Sequence, residues 1–521
     1  MLLHQYLEYH ATARGQTVFG IQHARSLSYA EANAAANELA HTFLYLGLKA
    51  GDRFGYLSKN ALDMAVMFFA ASKVGVVPVP LNFRLAAQEW QFILEDSGAT
   101  VVLAQSQYAD ALEAVRGSLP RVRHWIAADG QGAAGWQSLA ALTVGRPRDN
   151  PTCALTNGAA LYQMYTSGTT GRPKGAVLTH ASVITNGYQS LAALGPLARP
   201  GERILVVMPM FHAGGASFVV GGGVAGATMV IEDDFDPKRF VDTLERERIT
   251  AVNVVPAMLQ ACLTVIPDLA ERRFDDLRTI VYGASPISET TLRRAIACFK
   301  CDFFQGYGQT EASAVLTFLN ADDHRRALAG RPDLLLSAGK PVAGTEIRIM
   351  DPDGRFLPTG ELGEIVARGP QIMQGYWNMP EATAATLADG WLRTGDAGIM
   401  DDEGFVFIQD RVKDMIVSGG ENIYPREIEN VLFRHASVAD AAVIGVPDGK
   451  YGETPLALIV AKPDASRDTD ALMLFCRQNL GGYKVPRQFV FVSELPRNPS
   501  GKVLKRELRE PYWTNHSRKV S

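Results

Sequence analysis

From about residue 160 to residue 310 the chain alternates between short apolar runs and longer amphipathic ones. Arg203-Ile-Leu-Val-Val-Met208, Ala251-Val-Asn-Val-Val255 and Leu277-Arg-Thr-Ile-Val-Tyr282 are runs of strand length, patterned like strands covered on both faces. Thr228-Met-Val-Ile231 predicts another strand. The stretch from Asp236 to Ile249 predicts a helix, because an acid followed by Pro237 is a helix-opening signal. Ser285-Pro286 opens a second helix in the same way, running to about Phe299. Strand and helix in alternation predict an α/β domain built on a mainly parallel sheet. The first 150 residues repeat the theme, with helices expected at 30–46 and 61–74 and a strand at 100–104.

After residue 340 the periodicity changes. Glu346-Ile-Arg-Ile-Met350, the turn Asp351-Pro-Asp-Gly354 and Gly363-Glu-Ile-Val-Ala367 read as antiparallel β-structure, and a further hairpin ends near Asp410. Beyond it a smaller unit is expected: helix 425–434, strands 438–445 and 455–462, helix 468–479, strand 488–493 and a basic C-terminal stretch. The expected architecture is a large N-terminal domain over 1–410, with parallel-rich sheets, helices and a β-rich subdomain. A small α+β C-terminal domain follows over 411–521.

Composition agrees with two or more domains, since 521 residues exceed what one compact core holds. Hydrophobic residues at 47% exclude a disordered chain, and a net charge of −4 (51 Lys and Arg against 55 Asp and Glu) gives no electrostatic footprint for nucleic acid. Five cysteines are too few for a disulfide scaffold and suit a reducing compartment. Residues Met1 to Gln5 carry no export signal, and the apolar run Phe218 to Ile231 is glycine-broken and too short for a bilayer. A soluble, cytoplasmic protein is expected.

Chemistry concentrates in Tyr165-Thr-Ser-Gly-Thr-Thr-Gly-Arg-Pro-Lys-Gly175, directly after an apolar strand (Ala159 to Tyr165). Glycines let backbone N–H groups approach an oxyanion, hydroxyls add donors and Lys174 adds charge, a combination suited to a polyphosphate. It is not the P-loop pattern, because Gly175 rather than Ser or Thr follows the lysine. Three other features are set aside. Gly221-Gly-Gly-Val-Ala-Gly226 lies away from the opening of a first βαβ unit, so its small residues are expected to border a pocket rather than bind a dinucleotide. Cys298 and Cys301 have redox spacing but no second pair, and the ten histidines show no metal-binding cluster.

The loop at 165–175 resembles the signature of the adenylate-forming superfamily, which includes acyl-CoA synthetases, firefly luciferase and adenylation domains of nonribosomal peptide synthesis. Further matching segments follow in the family's order: Met208-Pro-Met-Phe-His-Ala-Gly-Gly215, Tyr282-Gly-Ala-Ser-Pro286 and Gln305-Gly-Tyr-Gly-Gln-Thr-Glu311. Then come Gly390-Trp-Leu-Arg-Thr-Gly-Asp396, the segment from Asp410 to Pro425, and Pro496-Arg-Asn-Pro-Ser-Gly-Lys502. The resemblance implies ATP-dependent activation of a carboxylate to acyl-AMP with release of pyrophosphate, then acyl transfer to a thiol, with ATP, Mg²⁺ and CoA as cofactor and co-substrates.

Site roles implied by the resemblance are as follows. Thr166, Ser167, Gly168, Thr169, Thr170, Gly171 and Lys174 would hold the β- and γ-phosphates. Thr310 would contact the α-phosphate and Glu311 would ligate Mg²⁺, a hard cation that prefers oxygen. The nucleoside would lie between Gly283-Ala284-Ser285 and Tyr307, beside Gly306 and Gly308, with the Gln305 amide reading the adenine edge. Asp396 would accept from the ribose hydroxyls and Arg411 would sit beside the ribose. Lys502 would bridge carboxylate and phosphate as a catalytic cation. Lys413 matches the hinge, placed at about 411–413, on which a mobile small domain swings to present Ser418, Gly419 and Gly420 to the pantetheine arm of CoA.

The implied acyl pocket comprises His212, a candidate catalytic residue at its entrance, with Ala213, Gly214, Val255, Met258, Gly283, Gly306 and Ser313. These side chains are small or apolar and include no carboxylate to hold an amino group. A hydrophobic acid is favoured, because each buried methylene contributes ~0.8 kcal/mol. The chain looks most like bacterial fatty-acyl-CoA synthetases acting on medium or long chains. Aryl-acid ligases, a carrier-protein thiol as acceptor and a non-turnover nucleotide- or acyl-binding module are the alternatives. The basic C-terminal segment could meet CoA phosphates or an anionic membrane surface, and a homodimer stays open.

Overall fold

The computed structural model describes residues 1–130, 133–166, 173–195, 201–285, 287, 289–411, 414–418, 421–463, 465–497 and 502–514. Nine described strands form the largest sheet, in the order Lys340–Pro341, Thr317–Leu319, Asp302–Tyr307, Thr279–Gly283, Ala251–Val254, Arg203–Val206, Thr228–Ile231, Val18–Gln22, Arg25–Ser28. The six strands from Asp302–Tyr307 to Val18–Gln22 run parallel and the edges antiparallel. Their apolar runs are covered on both faces, one by the cluster around Leu205, Val252 and Ile280, the other by Ile204, Val206 and Ala251.

A second sheet, wholly parallel, orders Val77–Leu81, Arg53–Leu57, Val101–Ala104, His124–Ala127 and Gln137–Ser138. Helix Leu62–Val74 lies between these sheets and is buried on all sides, which is why its sequence is apolar all round. The hairpin Ala160–Thr166 and Lys174–Thr179 forms a third, antiparallel sheet, whose outer strand Gly375–Tyr376 arrives from some 200 residues downstream. The β-rich region expected after residue 340 is present as Glu346–Met350, Gly363–Arg368, Trp391–Met400, Leu387–Ala388 and Val406–Arg411. The C-terminal sheet holds Glu421–Ile423, Ile416–Ser418, Gly452–Ala461, Val438–Asp448 and Gln488–Phe491, with its own core around Ile428, Val443 and Ile459.

The elements differ from expectation in places. The helix expected from Ser285-Pro286 begins at Glu289, and Pro286 lies outside the described residues. The helix expected to reach Ile249 ends at Arg246, with the Asp236 side chain capping it by accepting from Arg239 N at 2.8 Å. Of the glycine-rich segment 221–226, residues 221–225 close the helix Ala213–Ala225 and Gly226 caps it with φ +78°. Gly222 and Gly223 let that helix pack closely: a Cβ at Gly223 would stand 2.4 Å from the ring of Phe69. No described helix is long and apolar enough to cross a membrane.

Candidate functional site

The hairpin places Thr166 and Lys174 opposite one another across its two strands. Lys174 Nζ lies 4.9 Å from the centre of the Tyr376 ring, a cation–π contact across the neighbouring strand. The hydroxyl of Tyr376 donates to Glu311 Oε1 at 2.7 Å, and Thr166 Oγ1 donates to the same oxygen at 3.4 Å. Glu311 sits on a single 3₁₀ turn, Thr310–Ala312, and is 8% exposed, so it is not the solvated loop acid that an isolated glutamate would be. Two expected residues, Lys174 and Glu311, are thus brought together by a third, Tyr376, that sequence reasoning missed. The only hint was Gly375-Tyr376, a short run with no flanking strand pattern.

The base of the hairpin is anchored to the second parallel sheet's layer. Tyr165 donates to Asp96 Oδ2, Trp377 Nε1 donates to the Asp96 carbonyl at 3.2 Å, and the Arg53 guanidinium stacks 3.4 Å from the Trp377 ring. Arg53 in turn donates to Gln163 on the hairpin strand at 3.2 Å. Trp377 N donates to the Gly175 carbonyl at 2.8 Å, continuing the pairing of the outer strand past Tyr376.

Tyr307 ends the strand Asp302–Tyr307, and its hydroxyl donates to Asp396 Oδ2 at 2.8 Å. Asp396 lies on Trp391–Met400, opposite Arg411 on the next strand, and its N–H donates to Thr394 Oγ1 at 3.1 Å. The two residues expected beside the ribose are thus register partners on adjacent strands. Gly283 and Gly306 are register partners, and a Cβ on Gly283 would fall 2.2 Å from the Gly306 carbonyl oxygen, so the neighbouring backbones require glycine. Immediately beyond, Ala284 has φ +65°, and Ser313 across the site has φ +61°. Left-handed backbone at non-glycine residues carries strain of the kind found at functional sites. Gln305 is 8% exposed, and its Oε1 accepts from the Tyr282 hydroxyl at 3.4 Å, a hydroxyl that is itself 2.9 Å from His324 Nε2.

On the acyl side, His212 is the N-cap residue of helix Ala213–Ala225, and its ring lies tilted beside that of Phe211 with centres 4.6 Å apart. Its Nε2 is sealed from solvent without a hydrogen-bond partner, and burial, with Arg84 nearby, brings its pKa down to about 4. At neutral pH it is an uncharged ring. Asn253 Nδ2 donates to the Gly214 carbonyl at 3.3 Å. That asparagine, a polar residue in an otherwise apolar strand, was a legible signal that the reading of an apolar run passed over. Val255 is buried and Met258 half-buried on the adjoining helix Pro256–Val265. Ser313 is fully buried with its hydroxyl committed to the Gln371 carbonyl at 2.7 Å.

In the C-terminal part, Ser418 ends the strand Ile416–Ser418 and is 8% exposed. Ser167, Gly168, Thr169, Thr170, Gly171, Lys413, Gly419 and Gly420 lie outside the described residues, as does the side chain of Arg411. Lys502 directly precedes Val503, which bridges Arg497 and packs with Leu508 and Tyr512 against Ile444 and Leu458. Helix Lys505–Trp513 follows, with Lys505 Nζ 2.9 Å from Glu429 Oε1 and 3.3 Å from Asp410 Oδ2, and Arg509 paired with Asp414 at 2.5 Å. Arg497 pairs with Asp440. Three cations of the basic C-terminal stretch, Arg497, Lys505 and Arg509, are thus paired within the chain.

Among the described residues no three His, Cys, Asp or Glu side chains group as a metal site. Cys301 is half-buried, and its desolvation pushes the thiol up to about 12, which argues against a reactive redox pair. Magnesium needs no such group: it is commonly held through one or two carboxylates plus substrate phosphates and water. Buried Glu311, with hydroxyl oxygens beside it, fits that donor set.

Comparison with known proteins identifies the family. Residues 7–377 match the AMP-binding enzyme family and residues 427–502 match the AMP-binding enzyme C-terminal domain. The chain is 38% identical over 519 residues to a fatty acid–[acyl-carrier-protein] ligase, ScoC, of Streptomyces coeruleorubidus, covering 99% of this chain and 98% of that one. It is 38% identical over 495 residues to a feruloyl-CoA synthase of an Amycolatopsis species, covering 94% of each. A solved Mycobacterium tuberculosis fatty acyl CoA synthetase superposes with a TM-score of 0.79 at 34% identity over 99% of both chains. With a match over well above half its length and relatives aligned almost end to end, the chain belongs to the AMP-binding enzyme family.

Proposed function

We propose that this protein is an acyl-CoA synthetase that activates a hydrophobic carboxylic acid, a medium- or long-chain fatty acid, in two steps. A carboxylate oxygen attacks the α-phosphorus of ATP, the bond to the bridging oxygen breaks, and pyrophosphate leaves. The thiol sulfur of CoA then attacks the acyl carbon, AMP leaves, and the thiol proton passes to solvent. The observation that carries this reading is the meeting of Lys174, Thr166 and Glu311 around Tyr376. A cation, a hydroxyl donor and a buried carboxylate there suit a triphosphate bound with a divalent ion.

In this reading Lys174 and the loop 166–171 hold the β- and γ-phosphates, and Thr310 faces the α-phosphate. Glu311 would hold Mg²⁺, which neutralises triphosphate charge when bound. Tyr307 keeps Asp396 aimed at the ribose hydroxyls by its 2.8 Å hydrogen bond, beside Arg411. Lys502 supplies the cation that lets two anions meet. Residues 1–410 form the AMP-binding body and 411–521 a small lobe, hinged at 411–413 around Lys413. The lobe delivers Lys502 in one pose and Ser418, Gly419 and Gly420 in the other. His212 enters as an uncharged wall of the acyl pocket, with Ala213, Gly214, Val255 and Met258, which favours an apolar acid.

A carrier-protein thiol as acceptor is the second reading, favoured by the nearly full-length likeness to an acyl-carrier-protein ligase. Pyrophosphate release across short, medium, long-chain and aryl acids, each with CoA, with a carrier protein or with neither, tests both. Highest kcat/KM for a fatty acid, with a thioester formed on CoA, is the expected result. Release confined to aryl acids, or a thioester formed only on the carrier protein, would replace the corresponding part of the proposal.

A further inference from the structure

We propose that Tyr376 is a positioning residue that keeps Lys174 and Glu311 from pairing with each other, so that the lysine stays available to phosphate and the carboxylate to a divalent ion. The inference rests on the ATP-dependent reading above and deepens it.

The placement begins with register. Tyr376 pairs with Ala176 across the hairpin sheet, and Lys174, two residues before Ala176 on the same strand, shares its face. Thr166 is the register partner of Lys174 on the other side. The tyrosine is held from behind as well. Its N–H donates to Thr383 Oγ1 at 2.9 Å, on helix Pro380–Thr386. Gly375, just before it, has φ +151°, and a Cβ there would stand 2.8 Å from Thr383 Cγ2. Met373 N donates to the Glu311 carbonyl at 2.8 Å, so the segment that carries the ring is tied to the turn that carries the acid. Backbone contacts therefore fix the ring independently of the charges it touches.

Two unlike charges so near attract, and partial burial strengthens the attraction. Yet Lys174 meets the face of the Tyr376 ring, with Nζ 4.9 Å from its centre, and among the described residues no ion pair joins it to Glu311. The hydroxyl at the edge of that ring donates to Glu311 Oε1 at 2.7 Å, and Thr166 Oγ1 donates to the same oxygen at 3.4 Å. Both protons arrive on Oε1, so among the described residues Oε2 receives none and is the oxygen left for a cation. A direct lysine–carboxylate pair would cancel the charge that each residue brings to a triphosphate and its metal. One side chain thus acts through two parts: its ring separates and its hydroxyl orients.

Titration calorimetry of ATP binding in EDTA and in excess Mg²⁺ separates these parts without turnover. Tyr376→Phe keeps the ring and loses the hydroxyl. It is expected to bind metal-free ATP within about threefold of wild type, and to lose about tenfold of the tightening that Mg²⁺ brings, the scale of one hydrogen bond to a charged group. Tyr376→Leu loses the ring too, and Lys174 closes on Glu311. Metal-free ATP is then expected to bind about tenfold more weakly. Made in Glu311→Gln, the same substitution should cost no more than about threefold, because the lysine has no carboxylate to join. A merely structural tyrosine would cost the same in both backgrounds. Thermal unfolding midpoints identify which variants are folded, and Tyr376→Phe, smaller by a single oxygen, keeps the test decisive if Tyr376→Leu does not fold. Wild-type tightening by Mg²⁺ in Tyr376→Phe, or a loss in Tyr376→Leu that persists in Glu311→Gln, would overturn the proposal and leave the ATP-dependent reading standing. A wild-type protein that binds no ATP in either condition would overturn that reading and this inference with it.

Discussion

Glu311 illustrates how neighbours decide what a residue does. Its carboxylate is buried, receives the Tyr376 hydroxyl, and lies on the same side as Lys174. Replacing it by Gln keeps the shape and the hydrogen bonds but removes the charge that would hold a divalent ion. Acyl-AMP formation is expected to fall by about 10²–10³ for Glu311→Gln, the usual scale for losing an electrostatic contact in a transition state. Pyrophosphate exchange at saturating Mg²⁺ measures it, and a change below about threefold would remove Glu311 from the metal's ligands. His180 carries a different kind of information. It is fully buried, its Nδ1 accepts from Leu3 N at 3.2 Å, and burial, helped by His4, lowers its pKa to about 3. The unfolded chain takes up this proton near pH 6.5 while the folded one refuses it until about pH 3, so folded stability is lost as pH falls through that window. The melting midpoint is expected to drop on acidification from pH 6.5 toward 4. The slope should be shallower in His180→Gln, whose amide can still accept from Leu3.

Among the elements, helix Ala213–Ala225 separates two uses of glycine. A Cβ at Gly223 meets the buried Phe69 ring at 2.4 Å, whereas one at Gly221 meets nothing within 4 Å. Gly223→Ala sets an overpacking cost of ~1–3 kcal/mol against a helix-propensity gain of ~1 kcal/mol, for a net loss of about 1 kcal/mol. Gly221→Ala should instead be stabilising by about 0.5–1 kcal/mol. Urea unfolding of the pair measures both, and equal effects would mean the helix is not seated on Phe69 as described. This helix was not legible in the sequence, because its glycines lower helix propensity and the burial that overrides propensity is a tertiary fact. The parallel strands at 203–206, 251–254 and 279–283 were legible, since burial on both faces leaves a continuous apolar run. So was the β-rich texture after 340. At the site, Lys174, Glu311, Tyr307 and Asp396 were found through their motifs. Tyr376, Asp96 and Asn253 were not, because each acts through a partner distant in sequence.

For the molecule as a whole, the decisive question is the division of labour between the large body and the C-terminal part. Lys502 precedes a helix whose Lys505 joins Glu429 and Asp410, the latter just before the proposed hinge. A cation delivered by a moving lobe should matter for only one of two chemical steps. For Lys502→Ala, acyl-AMP synthesis is expected to fall by about 10²–10³. Thioester formation from supplied acyl-AMP should stay within a few-fold. Equal loss of both half-reactions would contradict a two-pose mechanism.

The strand Gly375–Tyr376 has an implication for dividing this chain. It completes the hairpin sheet from about 200 residues away, and the family match ends at residue 377, one position beyond it. A fragment cut before 375 would retain the entire glycine-rich loop and its lysine, yet lose the aromatic ring that links that lysine to the acid at 311. Grafts or split versions of this enzyme should therefore be joined downstream of Trp377, where the indole, the 53 guanidinium and the hairpin base travel as one piece.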